Sequence, residues 1–145
     1  MSEQTYDRVA LAKEQLDTAL DLFLDLSKYS SAVTLAGAAE EIFGRALSAK
    51  GDVSALDYKY ESMAEFYRML HGNELKKKEF VSEENRARDA LKHLQEKTGP
   101  TFSAGLEIAA CWMIVRALQN GRSLGLEFEG FQEFDNWFYE HIVGV

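Results

Sequence analysis

Cysteine and proline are almost absent from the 145-residue sequence, which contains one residue of each. The single Cys111 excludes an internal disulfide, and a free cysteine fits a reducing compartment. It lies in the apolar run 108–113, which favours a small buried side chain over a reactive thiol. Because Pro100 is the only proline and β-branched residues are sparse, the composition predicts an all-α protein.

Long hydrophobic runs are also missing. The longest uncharged apolar run, 108–115, is far shorter than the roughly 18 residues that a membrane span needs. Residues 1–7 contain neither the basic nor the apolar region of a secretory signal. We therefore expect a cytoplasmic protein without a membrane partner.

Positive charge is scarce, since the net charge is −8. This opposes broad, non-specific binding to DNA or RNA, which depends on neutralising phosphates. The charge is uneven, however. Segment 71–100 has seven basic and six acidic residues, a net +1 that leaves −9 for the rest of the chain. That segment permits a local phosphate site.

Motifs for metals and nucleotide cofactors are missing as well. Each of the three histidines lacks the Glu three residues earlier that a di-iron bundle needs, because Arg68, Ala90 and Phe138 stand there. There is no cysteine pair for zinc, no Walker loop and no Gly-x-Gly-x-x-Gly turn. We expect no cofactor and no metal.

What the chain does contain is helical periodicity. Apolar residues recur at three-, four- and seven-residue spacing and are bounded by capping residues. The pattern predicts helices over about 4–26, 30–51, 54–71, 83–97, 101–121 and 129–142, with a charged connector over 73–80. We predict an all-α, up-and-down bundle of four to five main helices plus a short C-terminal aromatic helix, as one domain over 1–145. The helix 101–121 should be the central buried one.

The most specific cluster of polar residues lies in the predicted fourth helix. Asp89 and His93 are four residues apart, so they share one helix face, and Arg88 precedes Asp89. A carboxylate can orient an imidazole, and an Arg can hold a phosphate. This set suits phosphodiester cleavage, and it equally suits a surface ion-pair cluster.

This pattern, on a helix of a small all-α protein, resembles the HEPN superfamily. The signature of that family is an Arg followed four to six residues later by His, often with Asn, Asp or His directly after the Arg. The helix 35–43, with small residues and an acidic position, is also similar. The resemblance implies a dimeric, metal-independent ribonuclease or a toxin or antitoxin component. Arg88 would bind the scissile phosphate, His93 would be the general acid or base, and Asp89 would orient it.

Three further residues are supporting candidates for the site: Glu41, Asn85 and Lys92. Glu41 also stands four residues before Arg45, a spacing that predicts a surface ion pair. The expected partners are a second copy of the chain, an RNA substrate or another protein.

Two alternatives to the enzyme remain open. In the first, the chain is a non-catalytic HEPN-like module that dimerises through apolar faces, for which exposed Trp137 and Tyr139 are candidates. In the second, a pocket lined by Trp112, Met113 and Phe66 binds a small molecule. The enzyme predicts that Arg88 and His93 are exposed in a groove where two copies face each other. The module predicts that they are buried or paired within one subunit, and the pocket predicts a closed apolar cavity.

Overall fold

In the computed structural model, which describes residues 1–144, the chain is an all-α bundle. Seven α-helices and a final π-helical turn follow one another along these residues. They are α1 Arg8–Leu24, α2 Tyr29–Ala49, α3 Ala55–His71, α4 Lys77–Glu84, α5 Arg86–Lys92, α6 Leu106–Ser123, α7 Phe131–Phe138 and the turn Tyr139–Val143. The predicted bundle with a short C-terminal aromatic helix is confirmed.

The core lies between α1, α2 and α6. Helix α2 presents small side chains, among them Ala36 and Ala39, which allow the neighbouring helices to approach closely. Large side chains fill the remaining space: Leu16, Leu20, Phe43 and Ile114 are completely buried. As predicted, α6 is a central buried helix, although it begins at Leu106 rather than near Thr101.

The C-terminal aromatic residues close one side of this core. Phe128 and Phe134 are buried and belong to the core. Trp137 packs edge-on against Phe23, with ring centroids 4.7 Å apart, and is half-buried rather than part of an exposed patch. Tyr139 remains exposed.

The predicted fourth helix, 83–97, is wrong at both ends. Helix α4 already begins at Lys77, inside the predicted connector, and it ends at Glu84. Helix α5 then stops at Lys92, and His93 has an extended backbone with φ −126° and ψ 122°. Short helices depend on burying an apolar face, and the next apolar side chain, Leu94, is 81% exposed.

Helix α3 stands apart from the core, since none of its side chains is fully buried. Its first half is held by α4, because Tyr60 packs on Phe80 and its hydroxyl donates to the Leu75 carbonyl oxygen at 2.9 Å. Its second half exposes several large apolar side chains: Met63, Phe66, Met69 and Leu70. Among residues 1–144, no helix has both the length and the apolarity needed to cross a bilayer.

Candidate functional site

A buried carboxylate, Glu40 on α2, lies between two arginines from different helices. Arg116 of α6 contacts one carboxylate oxygen, with Nη2 3.0 Å from Oε1. Arg88 of α5 lies near the other, with Nη1 3.8 Å from Oε2. Glu40 is 5% exposed, and a carboxylate so deeply buried needs a positive partner. The two arginines meet this need very differently.

Arg116 is fixed within the core. Its Nη1 donates to the Asn85 side-chain oxygen at 2.9 Å and to the Glu84 carbonyl oxygen at 3.4 Å. One turn along α6, Asn120 donates to the Glu40 carbonyl oxygen and accepts from the Ala55 backbone N–H at 2.8 Å. This network joins α2, the start of α3, the α4–α5 junction and α6. The break between α4 and α5 falls at Asn85, whose side chain binds Arg116.

Arg88 is held loosely. Its Nε and Nη2 lie 3.4 Å and 3.3 Å from one oxygen of Asp89, beyond the roughly 3.2 Å limit of good N–H···O bonds. Its Nη1 is 3.8 Å from an oxygen of Glu41. A guanidinium has five N–H donors, so most of the donor capacity of Arg88 is left for a ligand.

Gly37 sets the path of the Arg88 side chain. A Cβ atom at Gly37 would lie 2.6 Å from Cδ and 3.0 Å from Cγ of Arg88. The stem of Arg88 therefore crosses α2 in direct contact with the Gly37 backbone. Any other residue at this position would push the guanidinium away from Glu40 and Glu41.

The structure brings Arg88 and Asp89 together but places His93 elsewhere. The Asp89 carboxylate contacts Arg88, while its link to His93 is a backbone hydrogen bond of 2.9 Å. Asp89 and His93 line a shared groove of about 260 Å³. Arg88 instead lines two other grooves, of about 440 Å³ and 340 Å³. Within one subunit, Arg88 and His93 thus face different spaces.

The three supporting candidates have three different environments. Asn85 is buried and binds Arg116. Glu41 pairs with Arg45 at 3.2 Å, as the spacing predicted, and also faces Arg88. Lys92 is exposed at the end of α5, without an ion pair to any residue in 1–144.

Sequence reasoning did not find Arg116 and Glu40 as parts of this site, and it placed Trp112 only in the alternative small-molecule pocket. One signal was available for Arg116, which is the single charged residue in the otherwise apolar stretch 108–118. A charge in such a stretch needs a buried partner. Trp112, also on α6, is 47% exposed and lines the 440 Å³ groove together with Arg88. No metal-binding group of three or more His, Cys, Asp or Glu residues is found within 1–144.

Comparison with known proteins gives no match: no family model fits the chain, and neither the curated proteins nor the solved structures contain a similar one. The site must be interpreted from its own geometry.

Proposed function

We propose that this protein is a HEPN-like, metal-independent endoribonuclease that acts as a homodimer. The observation that carries the proposal is the state of Arg88: a guanidinium in an open groove, with contacts of 3.3 Å or longer. Arg forms bidentate hydrogen bonds with phosphate oxygens. The same short helix ends at His93, which is exposed.

The proposed reaction is an internal transfer of the phosphoryl group. His93 takes the proton of the ribose 2′-hydroxyl, whose oxygen attacks phosphorus while the bond to the next ribose oxygen breaks. A histidine returns a proton to the leaving oxygen, and the product carries a cyclic phosphate. Arg88 stabilises the charge that develops on the phosphate. Because Arg88 and His93 line different grooves in one subunit, we place the active cleft between two copies.

In this proposal, Asp89 has one role in the free protein and another when a phosphate is bound. Its side chain is 45% exposed and contacts Arg88 in the free protein. A phosphate that binds Arg88 replaces this carboxylate. Asp89 also lines the groove of His93, so the released carboxylate can orient the imidazole there.

The test is RNA cleavage in the presence of EDTA by the wild type and by His93→Ala. General acid–base catalysis contributes about 10²–10⁴-fold, so we expect a loss in that range. His141→Ala is the matched control, because His141 is also exposed but stacks on Trp137 at the far end of the chain. Cleavage that survives in His93→Ala, or no cleavage of diverse RNAs by the wild type, would overturn the proposal.

The second candidate is a non-catalytic interaction module, which two observations favour. Arg88 is surrounded by three carboxylates of its own subunit, those of Glu40, Glu41 and Asp89. Helix α3 also exposes a row of large apolar side chains. A wild type that forms stable dimers but cleaves no RNA would favour this function.

The third possibility, a closed apolar pocket, receives no support. Phe66 is 55% exposed on α3 and does not line the groove of Trp112 and Met113.

A further inference from the structure

The groove between α5 and α6 places an aromatic ring and an arginine on the same surface. Trp112 and Arg88 both line this space of about 440 Å³. We propose that it is a subsite for a single nucleotide, in which the base stacks on Trp112 and the phosphate binds Arg88. This inference rests on the proposed function for the identity of the ligand, since it names where an RNA substrate is held.

The wall that would receive the base is apolar and exposed. Trp112 is 47% and Ile108 48% exposed, although both lie on the central helix α6. Phe138 and the indole pack in a T-shaped arrangement, with ring centroids 5.5 Å apart and an interplanar angle of 85°. The ring is thus supported from one side by the protein. An exposed, supported indole is a suitable surface for stacking a base, which contributes about 1–3 kcal/mol.

The opposite part of the groove is charged. Its lining contains three cations, Lys59, Arg88 and Arg116, and two carboxylates, Glu83 and Glu84. The carboxylates of Glu40, Glu41 and Asp89 also lie beside the two arginines, so an anion would bind there through free N–H donors and not through an excess of positive charge. Lys59 is paired with Glu84 at 2.8 Å and Arg116 with Glu40, so Arg88 is the cation with free donors.

The dimensions of the groove agree with a small ligand. Its volume of about 440 Å³ falls within the roughly 300–1,000 Å³ of ligand sites, which suits one nucleotide. The apolar wall allows the groove to distinguish a nucleotide from a simple anion, because inorganic phosphate would contact Arg88 alone. A nucleotide would use both ends of the groove.

The experiment uses tryptophan fluorescence. The chain contains two tryptophans, so Trp137→Phe leaves Trp112 as the single reporter. We expect AMP to quench this fluorescence and to bind about 5- to 150-fold more tightly than ribose phosphate, which corresponds to the stacking energy. Equal affinities for AMP, ribose phosphate and inorganic phosphate would show an anion site without a base contact and would overturn the inference.

Variants then separate the two ends of the groove, with binding measured by calorimetry. Arg88→Gln and Trp112→Leu should each weaken AMP binding at least tenfold, and Trp112→Phe should restore most of it. Arg86→Gln, an exposed arginine two residues from Arg88 that donates to the Ser103 carbonyl oxygen, should bind normally. Unchanged AMP binding by either Arg88→Gln or Trp112→Leu, each checked for folding, would contradict the proposal.

The outcome is independent of cleavage. Nucleotide binding without RNA cleavage would overturn the nuclease and leave the subsite. Cleavage of RNA by a protein that does not bind AMP would overturn the subsite and leave the nuclease.

Discussion

Arg116 and Arg88 both lie beside the carboxylate of Glu40, but only Arg116 is in close contact with it. Arg116 is 7% exposed and binds Glu40 at 3.0 Å. The Arg88 side chain is 20% exposed, and its Nη1 lies 3.8 Å from Oε2 of Glu40. Arg116 also has uncharged partners in Asn85 and the Glu84 backbone, whereas Arg88 has carboxylates at long distance. One guanidinium is committed to the fold and the other is available to a ligand.

The difference follows from where the helices place the two side chains. Arg116 comes from the middle of α6 and reaches Glu40 through the core. Arg88 comes from α5, a seven-residue helix at the edge of the bundle, and crosses the outside of α2 over Gly37. Arg116 neutralises the buried carboxylate that lies between the two side chains. Arg88 therefore keeps N–H donors that are not needed by Glu40. Three predictions test this division, and a fourth tests the burial of Cys111 on α6.

The largest effect is expected at the shared carboxylate. Glu40→Ala leaves the buried charge of Arg116 without its partner, and breaking a buried ion pair costs about 3–5 kcal/mol. Urea unfolding measures this loss. Glu41→Ala is the matched control: the Glu41 side chain is 46% exposed, so its removal should cost less than about 1 kcal/mol. Equal losses of unfolding free energy in the two variants would show that burial does not make Glu40 more important for stability than Glu41.

The next effect is a loss of activity without a loss of stability. Gly37→Ala places a methyl group where the Arg88 stem lies, so the guanidinium must move away. Cleavage should fall by about 10²–10³-fold, the usual cost of losing one donor to a transition-state oxyanion. Unfolding should change by no more than about 1 kcal/mol, because alanine is also the better helix former.

Gly44→Ala is the control for this variant. It lies two turns further along α2, and its Cβ would meet its nearest neighbour, the Asn120 side-chain nitrogen, at 3.4 Å, an ordinary contact. This variant should keep full activity. Wild-type cleavage by Gly37→Ala would show that the path of Arg88 over α2 is unimportant.

A smaller effect concerns the two sides of α6, the buried side with Cys111 and the exposed side with Trp112. Burial, and to a lesser extent the negative charge of Glu107, raise the pKa of the Cys111 thiol from 9.0 to about 11. The native thiolate fraction is therefore about a hundredfold lower than in the unfolded chain. Alkylation at pH 8 should be slower in the native protein by at least this factor than in urea, and Cys111→Ser should not react.

The same pKa shift determines the direction in which stability changes with pH. Above pH 9 the unfolded chain releases the thiol proton while the native protein retains it. The contribution of Cys111 to stability is fully present below pH 9 and is lost as the pH rises through about 11. Equal alkylation rates in the native and unfolded states would show that Cys111 lies on the exposed side of α6, with Trp112.

The sequence was sufficient for the fold class and for the long helices. Periodic apolar residues identified α2 and α3 closely, because Gly51 and the His71-Gly72 pair end them with clear signals. The buried character of Cys111 also followed from its neighbours. Each of these inferences depends on local pattern alone.

The division between the two arginines could not be predicted. It depends on Arg116, Glu40 and Asn85 meeting from separate helices, and residues 76 positions apart in the chain carry no local signal of contact. The predicted helix 83–97 is interrupted at Asn85, one of these contact residues. Once the helix ends at Lys92, Asp89 and His93 no longer lie on one helix face, and the carboxylate faces Arg88.

The most direct test compares the unfolding free energies of Arg116→Gln and Arg88→Gln in urea. The two substitutions are chemically identical and remove a partner from the same carboxylate. We predict a loss of about 3–5 kcal/mol for Arg116→Gln and of about 1 kcal/mol or less for Arg88→Gln. Equal losses, or a larger loss for Arg88→Gln, would contradict the claim that Arg116 belongs to the fold and Arg88 to the site.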